Sequence, residues 1–530
     1  MRKTLVVGWD GATWSVVSPL IEHGVLPNLA SLVEGGVDGP LRSTTPPMTP
    51  LAWTSAATGV NPGKHGMLDF LQMDLESYNI SPISFSLNGN PGIWDIFNSN
   101  DSTVGFLNYP LVFPPPETQE FFVSGIPAGA DEEIASPPAV QSYLDSINYR
   151  IHPKRRYRDD PTAYLNDVRE ITDRQRDAAI DLLKTYDPDL FWTVFMGIDW
   201  VQHYLWNETV DGVSAVETCY RYLDDVLGDL LDTVSEEWNV IVLSDHGAGP
   251  IDATVHLNSL LSDWGFLTER EPGADKTTVR VKNRLLNTAW SVGSRVPPSI
   301  KSRGKAVLPD SILGDMRAAA GVNQLQMHDR ITWGETKAFS YGYMGRVFVN
   351  DTKRYPNGTV DPAEYDDFRS GLIDRFESLT NPSTGEPIVE RAIPAEDVYS
   401  GPALSRGPDI LLYPTDWRYM MFGDFDSEWF TPPGDRVADH DNEGILVCSG
   451  PEFNDTTTSA DITDIAPTLA FLHGFPIAES MDGDVLENIF VPSFREEQAI
   501  RVQSYTVSNS AQADETSEDV ESRLEDLGYL

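Results

Sequence analysis

The stretch STTPPMTPLAWTSAATGVNPGKHGMLDF, Ser43 to Phe70, organises the prediction of both fold and site. Its closely spaced prolines favour an extended entry, because proline is excluded from a helix interior. Pro50 suits the first position of a short apolar helix predicted over Leu51–Thr58. Thr49 would then be the N-cap, where the helix N-terminus favours an anion. The threonine is either a plain cap or a nucleophile, and a nucleophile needs other groups that withdraw its proton.

The composition indicates a large globular protein with an extreme negative charge. The 530 residues are 40% hydrophobic, and this length predicts one large domain with an insertion, or two domains. Asp and Glu number 81 against 38 Lys and Arg, a net charge of -43, which disfavours stable nucleic-acid binding. We expect adaptation to a high-salt cytoplasm, where screened carboxylates barely repel one another. A specific acidic function is the alternative.

Cysteine usage and hydropathy favour a soluble, cytoplasmic protein. Cys219 and Cys448 lack the spacing of a metal or redox motif, so no disulfide framework is expected. The N-terminal apolar run ends at Asp10, which makes it too short for a signal peptide. No apolar run reaches the roughly 18 residues that a membrane span needs.

Three buried strands are predicted to end at acidic residues. Asp10 follows the apolar run Thr4–Gly8, and Asp199 and Asp245 end two further apolar runs. Open α/β sheets place functional groups at the carboxyl ends of their strands. One such residue is explained equally well as a helix cap. Three together indicate a bound cation, because burying several carboxylates without one is very costly.

Histidines accompany these acids. His203 follows Asp199 by four residues, so a helix there would place both on one face at metal-ligand spacing. His246 directly follows Asp245, and His440 lies in a predicted polar loop before another buried strand. Two divalent ions could each be held by three protein side chains. A hydroxyl bound to one ion would lose its proton readily.

The rest of the chain predicts an insertion and a tail. Residues 1–255 and 437–493 are expected to form the catalytic core, and residues 256–436 a smaller α+β cap. Residues 494–530 are expected to form an acidic, flexible tail. Within the cap, the basic segment 269–309 contrasts with the acidic remainder. It is either a solvated insertion or a weak contact for an anionic surface.

Taken in order, the motifs resemble the alkaline phosphatase superfamily, in particular its branch of type I phosphodiesterases and nucleotide pyrophosphatases. The sequence is most similar to the prokaryotic group of predicted phosphohydrolases and phosphomutases. The resemblance covers most of Leu5 to Leu486. Its carriers are VVGWDGATW from Val6, PPMTPLAWTSAATGVNPGKHGMLDF from Pro46, GIDWVQHYLW from Gly197, VLSDHGAGP from Val242, HDNEGILVCSGPEF from His440, DITDIAPTLAFLHGFP from Asp461 and MDGDVL from Met481.

The resemblance implies an α/β fold with a central, mostly parallel sheet sandwiched by helices. It implies a metal-dependent phosphohydrolase that cleaves a phosphodiester or nucleotide pyrophosphate through a phosphothreonine intermediate on Thr49. The substrate would be a small phosphoester or nucleotide. Two divalent ions are expected, Zn²⁺ first and Mn²⁺ as the alternative. The implied ligands are Asp10, Asp245 and His246, together with Thr49 itself, for one ion, and Asp199, His203 and His440 for the other.

Two departures from the family pattern leave the substrate class open. Nucleotide pyrophosphatase relatives hold a phosphoryl oxygen with an Asn after the nucleophile block, where this chain has Asp69. Monoester specialists use Arg or Lys, for which Lys64 is the candidate and a plain loop charge the alternative. A phosphate monoesterase or phosphomutase with the same site is therefore the alternative function. A catalytically inactive metal-bound scaffold is the alternative of another class. A sulfatase is disfavoured, because Thr49 cannot supply formylglycine.

Overall fold

The computed structural model describes residues 2–83, 85, 87–128, 132–154, 160–270, 327–426 and 428–507. Residues 271–309, which are most of the basic segment, lie outside the described residues, as do residues 508–530 of the predicted tail. The proposed contact with an anionic surface through residues 269–309 therefore stays a prediction.

A ten-stranded, mostly parallel sheet forms the centre of the fold. Its middle strand, Thr4–Trp9, pairs in parallel with Leu190–Phe195 on one side and Asn239–Leu243 on the other. All three strands are buried along their whole length, which explains their continuous apolar sequences. Across the sheet the order is Thr456–Thr457, Val37–Arg42, Glu443–Ser449, Asn239–Leu243, Thr4–Trp9, Leu190–Phe195, Val104–Tyr109, Phe121–Ser124 and Ala135–Ser136, with Ala460–Asp461 also pairing with Val37–Arg42.

Helices flank this sheet, so the α/β fold predicted from the sequence is confirmed. The longest, Pro161–Tyr186, begins after Asp160, whose side chain accepts hydrogen bonds from the backbone N–H groups of the first turn. No single helix among the described residues is long and apolar enough to cross a membrane, although the bent pair Trp14–Glu22 and Pro27–Val33 passes by length and composition together. The other helices are Thr49–Thr58, Pro62–His65, Ile93–Ser99, Pro138–Ser146, Gly197–Leu205, Ala215–Leu231, Leu257–Asp263, Met327–Arg330, Tyr365–Glu377, Ile465–Leu472 and Pro492–Glu497.

A second hydrophobic core lies beside the central one. Most of its side chains come from the predicted cap, residues 256–436. The hairpin of Leu71–Met73 and Ile80–Pro82 also contributes, with Tyr78 stacked on Trp333 at 3.9 Å between ring centroids. This hairpin therefore packs with the cap, although its position in the sequence lies within the predicted core segment 1–255. The small sheets here contain Ala338–Phe339, Arg346–Val349, Ile410–Pro414 and Val389–Pro394, and Tyr419–Phe422, Ala253–His256 and Phe430–Thr431.

Residues 494–507 differ from the flexible tail that the sequence predicted. Phe494 is buried, and the strand Val502–Gln503 pairs with Ile477–Ala478. Tyr505 donates its hydroxyl hydrogen bond to the Pro476 carbonyl at 2.6 Å. These apolar and aromatic contacts dock the segment on the core, a feature that the acidic composition of the following residues had obscured.

A buried ion pair joins the opening stretch to the second core. The Asp69 carboxylate pairs with the Arg346 guanidinium, and both side chains are almost fully buried. Arg346 also donates from Nη1 to the Leu68 carbonyl at 2.9 Å and from Nη2 to the Tyr341 carbonyl at 3.1 Å. The segment that follows the Thr49–Thr58 helix is therefore tied to the sheet of the cap.

Loss of Asp69 alone should destabilise the protein more than loss of both charges. Asp69→Ala leaves the Arg346 guanidinium buried without its counter-ion, at a cost of about 3–5 kcal/mol. Asp69→Leu combined with Arg346→Met removes both charges and should recover most of that loss. Urea denaturation measures the free energy of unfolding. Glu217→Ala, which breaks a more exposed pair with Arg221, serves as the control and should cost less than about 1 kcal/mol. Equal losses in the single and double variants would contradict this explanation.

Candidate active site

Three acidic side chains meet at one edge of the central sheet. Asp10 and Asp245 follow neighbouring parallel strands, and parallel strands end at the same edge. Asp199 lies in the first turn of the helix Gly197–Leu205, which begins just after the third strand ends. The sequence had placed Asp199 at the end of that strand itself. All three carboxylates are fully buried.

Gly11 closes the turn that links these strand ends. Its φ is +71°, a conformation that residues with a Cβ rarely adopt. A Cβ at this position would lie 3.2 Å from Asp199 Oδ1. The Gly11 N–H donates to Asp245 Oδ1 at 3.3 Å, and its carbonyl accepts from Gln202 Nε2 at 2.8 Å. A side chain at this position would therefore strain the turn and crowd the Asp199 carboxylate.

Thr49 faces this cluster from the start of the helix Thr49–Thr58. The helix begins two residues before the predicted Leu51, and Met48 is its N-cap in place of Thr49. Pro50 is accommodated in the first turn, where its missing N–H breaks no helical hydrogen bond. The threonine is fully buried, and its Oγ1 lies 3.4 Å from His246 Nε2.

The first group of metal-ligand type contains Asp10, Asp245 and His246. His246 Nε2 lies 3.3 Å from Asp245 Oδ2 and 3.7 Å from Asp10 Oδ1. His246 Nδ1 donates to the Gly247 carbonyl at 2.9 Å, which leaves a lone pair on Nε2. Within the described part of the chain, Asp10 Oδ1 and Asp245 Oδ2 have no hydrogen-bond donor. These buried acceptor atoms fit a cation.

The second group is the set that the resemblance implied, Asp199, His203 and His440, and the structure also groups Asp199 and His440 with His246. Asp199 Oδ1 lies 3.0 Å from His203 Nε2 and 3.4 Å from His440 Nε2, and the two Nε2 atoms are 3.1 Å apart. The Nδ1 atoms donate to the carbonyls of Ala438 at 3.0 Å and Pro47 at 2.8 Å, respectively. Ligand atoms around a tetrahedral zinc ion are separated by roughly 3.3 Å, so this set also fits a divalent ion.

His440 reaches this group from a strand, not from the predicted polar loop. The strand Ala438–Asp441 pairs antiparallel with Gly247–Pro250, with Ala248 opposite His440. This pairing stacks the rings of His246 and His440 at 3.7 Å between centroids. The strand is short and polar, so its sequence lacked a strand signal, and only its partner segment defines it.

The electrostatics of the site also favour a cation. Burial raises the pKa of Asp10 well above its usual value, and repulsion from Asp245 and Asp199 adds to this effect. Burial, then repulsion from Asp199, likewise raises the pKa of Asp245. Burial lowers the pKa of His246 well below its usual range, so its imidazole is neutral at neutral pH. A divalent ion would relieve the repulsion between the carboxylates.

Arg436 and Asp439 belong to the site although the sequence analysis did not identify them. Arg436 Nη2 donates to Asp439 Oδ1 at 2.6 Å and lies 2.8 Å from His203 Nε2. Asp439 also forms a group of metal-ligand type with His203 and His440. The Asp439-His440 dipeptide repeats the Asp245-His246 pattern and could have been found by it. Arg436 has no comparable signal.

Lys64 and Asp69 are engaged in structural pairs. Lys64 Nζ contacts Asp482 Oδ1 at 2.5 Å and donates to the Ser480 carbonyl at 2.8 Å, which favours the interpretation as a loop charge. Asp69, at the position expected to hold a phosphoryl oxygen through an amide, pairs with Arg346. Neither Lys64 nor Asp69 lines the small cavity beside the site. The residues that line it are Met48, Phe70, Tyr343, Met344, Arg436, Asp439 and His440.

Solved structures support the fold. The phosphonoacetate hydrolase of Sinorhizobium meliloti, in complex with phosphonoformate, is 14% identical with a TM-score of 0.55, over 88% of this chain and 94% of that one. Murine ectonucleotide pyrophosphatase/phosphodiesterase 5 is 12% identical with a TM-score of 0.53, over 92% of this chain and 100% of that one. An inactive threonine-to-alanine variant of the murine protein, in complex with AMP, matches at 12% identity with a TM-score of 0.52, over 93% and 100%. At these identities the likeness concerns the fold.

The sequence comparison identifies the family. No curated protein sequence matches the chain. The family model described as type I phosphodiesterase / nucleotide pyrophosphatase matches residues 4–441, a range that includes Thr49 and every acid and histidine of both groups. The chain therefore belongs to the type I phosphodiesterase / nucleotide pyrophosphatase family and is a phosphoric ester hydrolase.

Proposed function

We propose that the protein cleaves a phosphodiester or nucleotide pyrophosphate by a two-step reaction with Thr49 as the nucleophile. The observation that carries the proposal is a cluster of buried acids and histidines of metal-ligand type, one of which, His246, lies 3.4 Å from the buried Thr49 hydroxyl. The inactive threonine-to-alanine variant of the murine neighbour, in complex with AMP, supports a threonine nucleophile and a nucleotide-type substrate.

Two divalent ions, Zn²⁺ first and Mn²⁺ as the alternative, are proposed at these groups. Asp10, Asp245 and His246 would hold the ion beside Thr49, and the second group would hold the other. Bound there, the ions would supply Lewis-acid chemistry, which favours loss of the hydroxyl proton and neutralises phosphoryl charge. Mixed carboxylate and imidazole donors suit both metals.

The residues of the chain account for the remaining steps. Thr49 gives up its hydroxyl proton and its Oγ1 attacks phosphorus; the bond to the leaving-group oxygen breaks, that oxygen takes up a proton, and a phosphothreonine forms. Water then attacks the same phosphorus, the bond to Oγ1 breaks, and a proton from the water restores the Thr49 hydroxyl. Backbone N–H groups at the N-terminus of the Thr49–Thr58 helix favour the negative phosphoryl oxygens in both steps.

A phosphate monoesterase or phosphomutase remains the second candidate, and Arg436 is the observation that favours it. Its guanidinium lines the small cavity beside Met48, the residue that precedes Thr49. A monoester dianion carries more negative charge than a diester and gains more from a buried cation.

The acidic composition supports one further proposal about the protein's setting. A net charge of -43 is tolerable in concentrated salt, where screening shortens the range of repulsion between carboxylates. We therefore propose adaptation to a high-salt cytoplasm.

The substrate class can be separated by comparing two chromogenic esters. The purified protein should hydrolyse bis-p-nitrophenyl phosphate with a higher kcat/KM than p-nitrophenyl phosphate, because its family acts on diesters and pyrophosphates. Initial rates at matched metal and salt concentrations provide the measurement. A strong preference for the monoester would favour the monoesterase or phosphomutase instead.

Thr49→Ala should lower kcat for the diester by at least about a thousandfold, because the variant has no nucleophile. Metal content and the circular dichroism spectrum should be unchanged, and Thr49→Ser should retain measurable turnover. Thr58→Ala is a matched control, since it removes a buried hydroxyl from the same helix that bonds only locally to the Thr54 carbonyl. Its kcat should stay within a few-fold of the wild type. Full turnover by Thr49→Ala would refute the nucleophile assignment.

Metal analysis should resolve two separate positions. Asp245→Asn and Asp199→Asn should each lose one of about two bound ions, as counted by elemental mass spectrometry, because each removes a ligand from a different group. Burial raises the pKa of Asp10 and Asp245, so metal uptake should release protons and the affinity should rise with pH. Calorimetry in buffers of different ionisation enthalpy measures the proton release. Unchanged metal content in both variants would contradict the proposed site.

A further inference from the structure

We infer that the two proposed metal positions are unequal, because Arg436 competes with the ion at the group of Asp199, His203 and His440. The guanidinium acts as a built-in counter-cation for this group, and the group of Asp10, Asp245 and His246 has no equivalent. This inference rests on the metal centre proposed above, and it concerns how that centre is filled.

Arg436 directly contacts the atoms that would bind the ion. Its Nη2 lies 2.8 Å from His203 Nε2 and 3.4 Å from His440 Nε2. The side chain is buried and is held in place by Asp439, whose Oδ1 accepts from the same Nη2 at 2.6 Å. The positive charge therefore lies beside the Nε2 atoms of His203 and His440, and the Asp439 carboxylate holds it there.

An arginine N–H and a metal ion cannot use the same imidazole nitrogen at once. His203 Nδ1 donates to the Ala438 carbonyl, so its proton is on that nitrogen and Nε2 has a single lone pair in the ring plane. His440 has the same arrangement through the Pro47 carbonyl. An ion at this group must take both Nε2 lone pairs, so the guanidinium must give up its contact with His203 before the ion is fully bound.

Arg436 stays beside this group even when an ion displaces it from His203, because Asp439 holds its guanidinium. A guanidinium that is released from His203 keeps its ion pair with Asp439 and stays beside the cation that displaced it. Binding of the ion must therefore overcome a lost charge-assisted hydrogen bond and repulsion between two positive charges in a buried site. Both effects weaken metal binding at this group, whose imidazole nitrogens Arg436 contacts directly.

The group beside Thr49 lacks such a competitor. Asp10 accepts from the Trp53 indole N–H at 2.7 Å, and Asp245 accepts from the Gly11 backbone N–H at 3.3 Å. Among the described residues, no lysine or arginine forms an ion pair with either carboxylate. The first ion therefore binds at this group. The second binds at the group of Asp199, His203 and His440 only at a higher metal concentration.

Calorimetric titration of the chelator-stripped full-length protein with Mn²⁺ tests the inference. The wild type should show two classes of binding whose dissociation constants differ by at least about tenfold, the effect of one charge-assisted hydrogen bond. Asp199→Asn should abolish only the weaker class, and Asp245→Asn only the tighter one. Arg436→Met should tighten the weaker class by at least about tenfold and leave the tighter class unchanged.

Further variants keep the test decisive. Arg436→Gln removes the charge but retains a hydrogen-bonding group for Asp439, and it should shift the weaker class in the same direction if Arg436→Met does not fold. Arg418→Met is the charge-matched control, since Arg418 is partly exposed and pairs with Asp252. It should change neither dissociation constant.

The possible failures are distinguishable. Two ions of equal affinity, or a weaker class that is unaffected or weakened in both Arg436 variants, would overturn the inference and leave the proposed metal centre intact. A wild-type protein that binds no Mn²⁺ or Zn²⁺ would overturn the proposed function together with the inference.

Discussion

The rest of the site depends on mutual repulsion among three buried carboxylates at one edge of the central sheet. Asp10, Asp199 and Asp245 are fully buried, and the turn at Gly11 holds them close. Such an arrangement is unfavourable in a low-dielectric interior unless positive charge lies among the acids. Each of the three histidines has Nδ1 bound to a backbone carbonyl, which leaves the Nε2 lone pairs available beside these acids. Cation binding is therefore built into the packing of the core.

The cap region contributes to the site through the buried Arg346 charge and through residues that line the small cavity. Asp69 and Arg346 tie the segment after the helix Thr49–Thr58 to a cap strand. Tyr343 and Met344, which precede that strand, line a small cavity together with Met48, the residue before Thr49. The buried pair thus connects the stability of the cap to the shape of this cavity. It also explains why this position holds an acid where an amide was expected.

Much of the fold could be predicted from sequence pattern. The three central strands are continuous apolar runs, and each is followed by an acid within a few residues, so both their burial and the edge that carries chemistry could be inferred. The i, i+4 spacing of Asp199 and His203 indicated a shared helix face, and they lie on one helix. Predictions failed where structure comes from distant partners. His440 lies in a strand only because Gly247–Pro250 pairs with it, and residues 494–507 fold because Phe494 and Tyr505 find apolar surface.

By itself, the sequence determined the order of elements, the strand-end acids and histidines, and the threonine at a helix start, because these follow from local hydrophobic pattern and spacing. Only the tertiary structure decided how these groups are arranged in space. It placed Lys64 in a pair with Asp482 and Asp69 in a pair with Arg346, and it brought Arg436 against His203. The physical reason is that a charged side chain takes its role from the groups that surround it after burial, and those groups come from segments hundreds of residues apart.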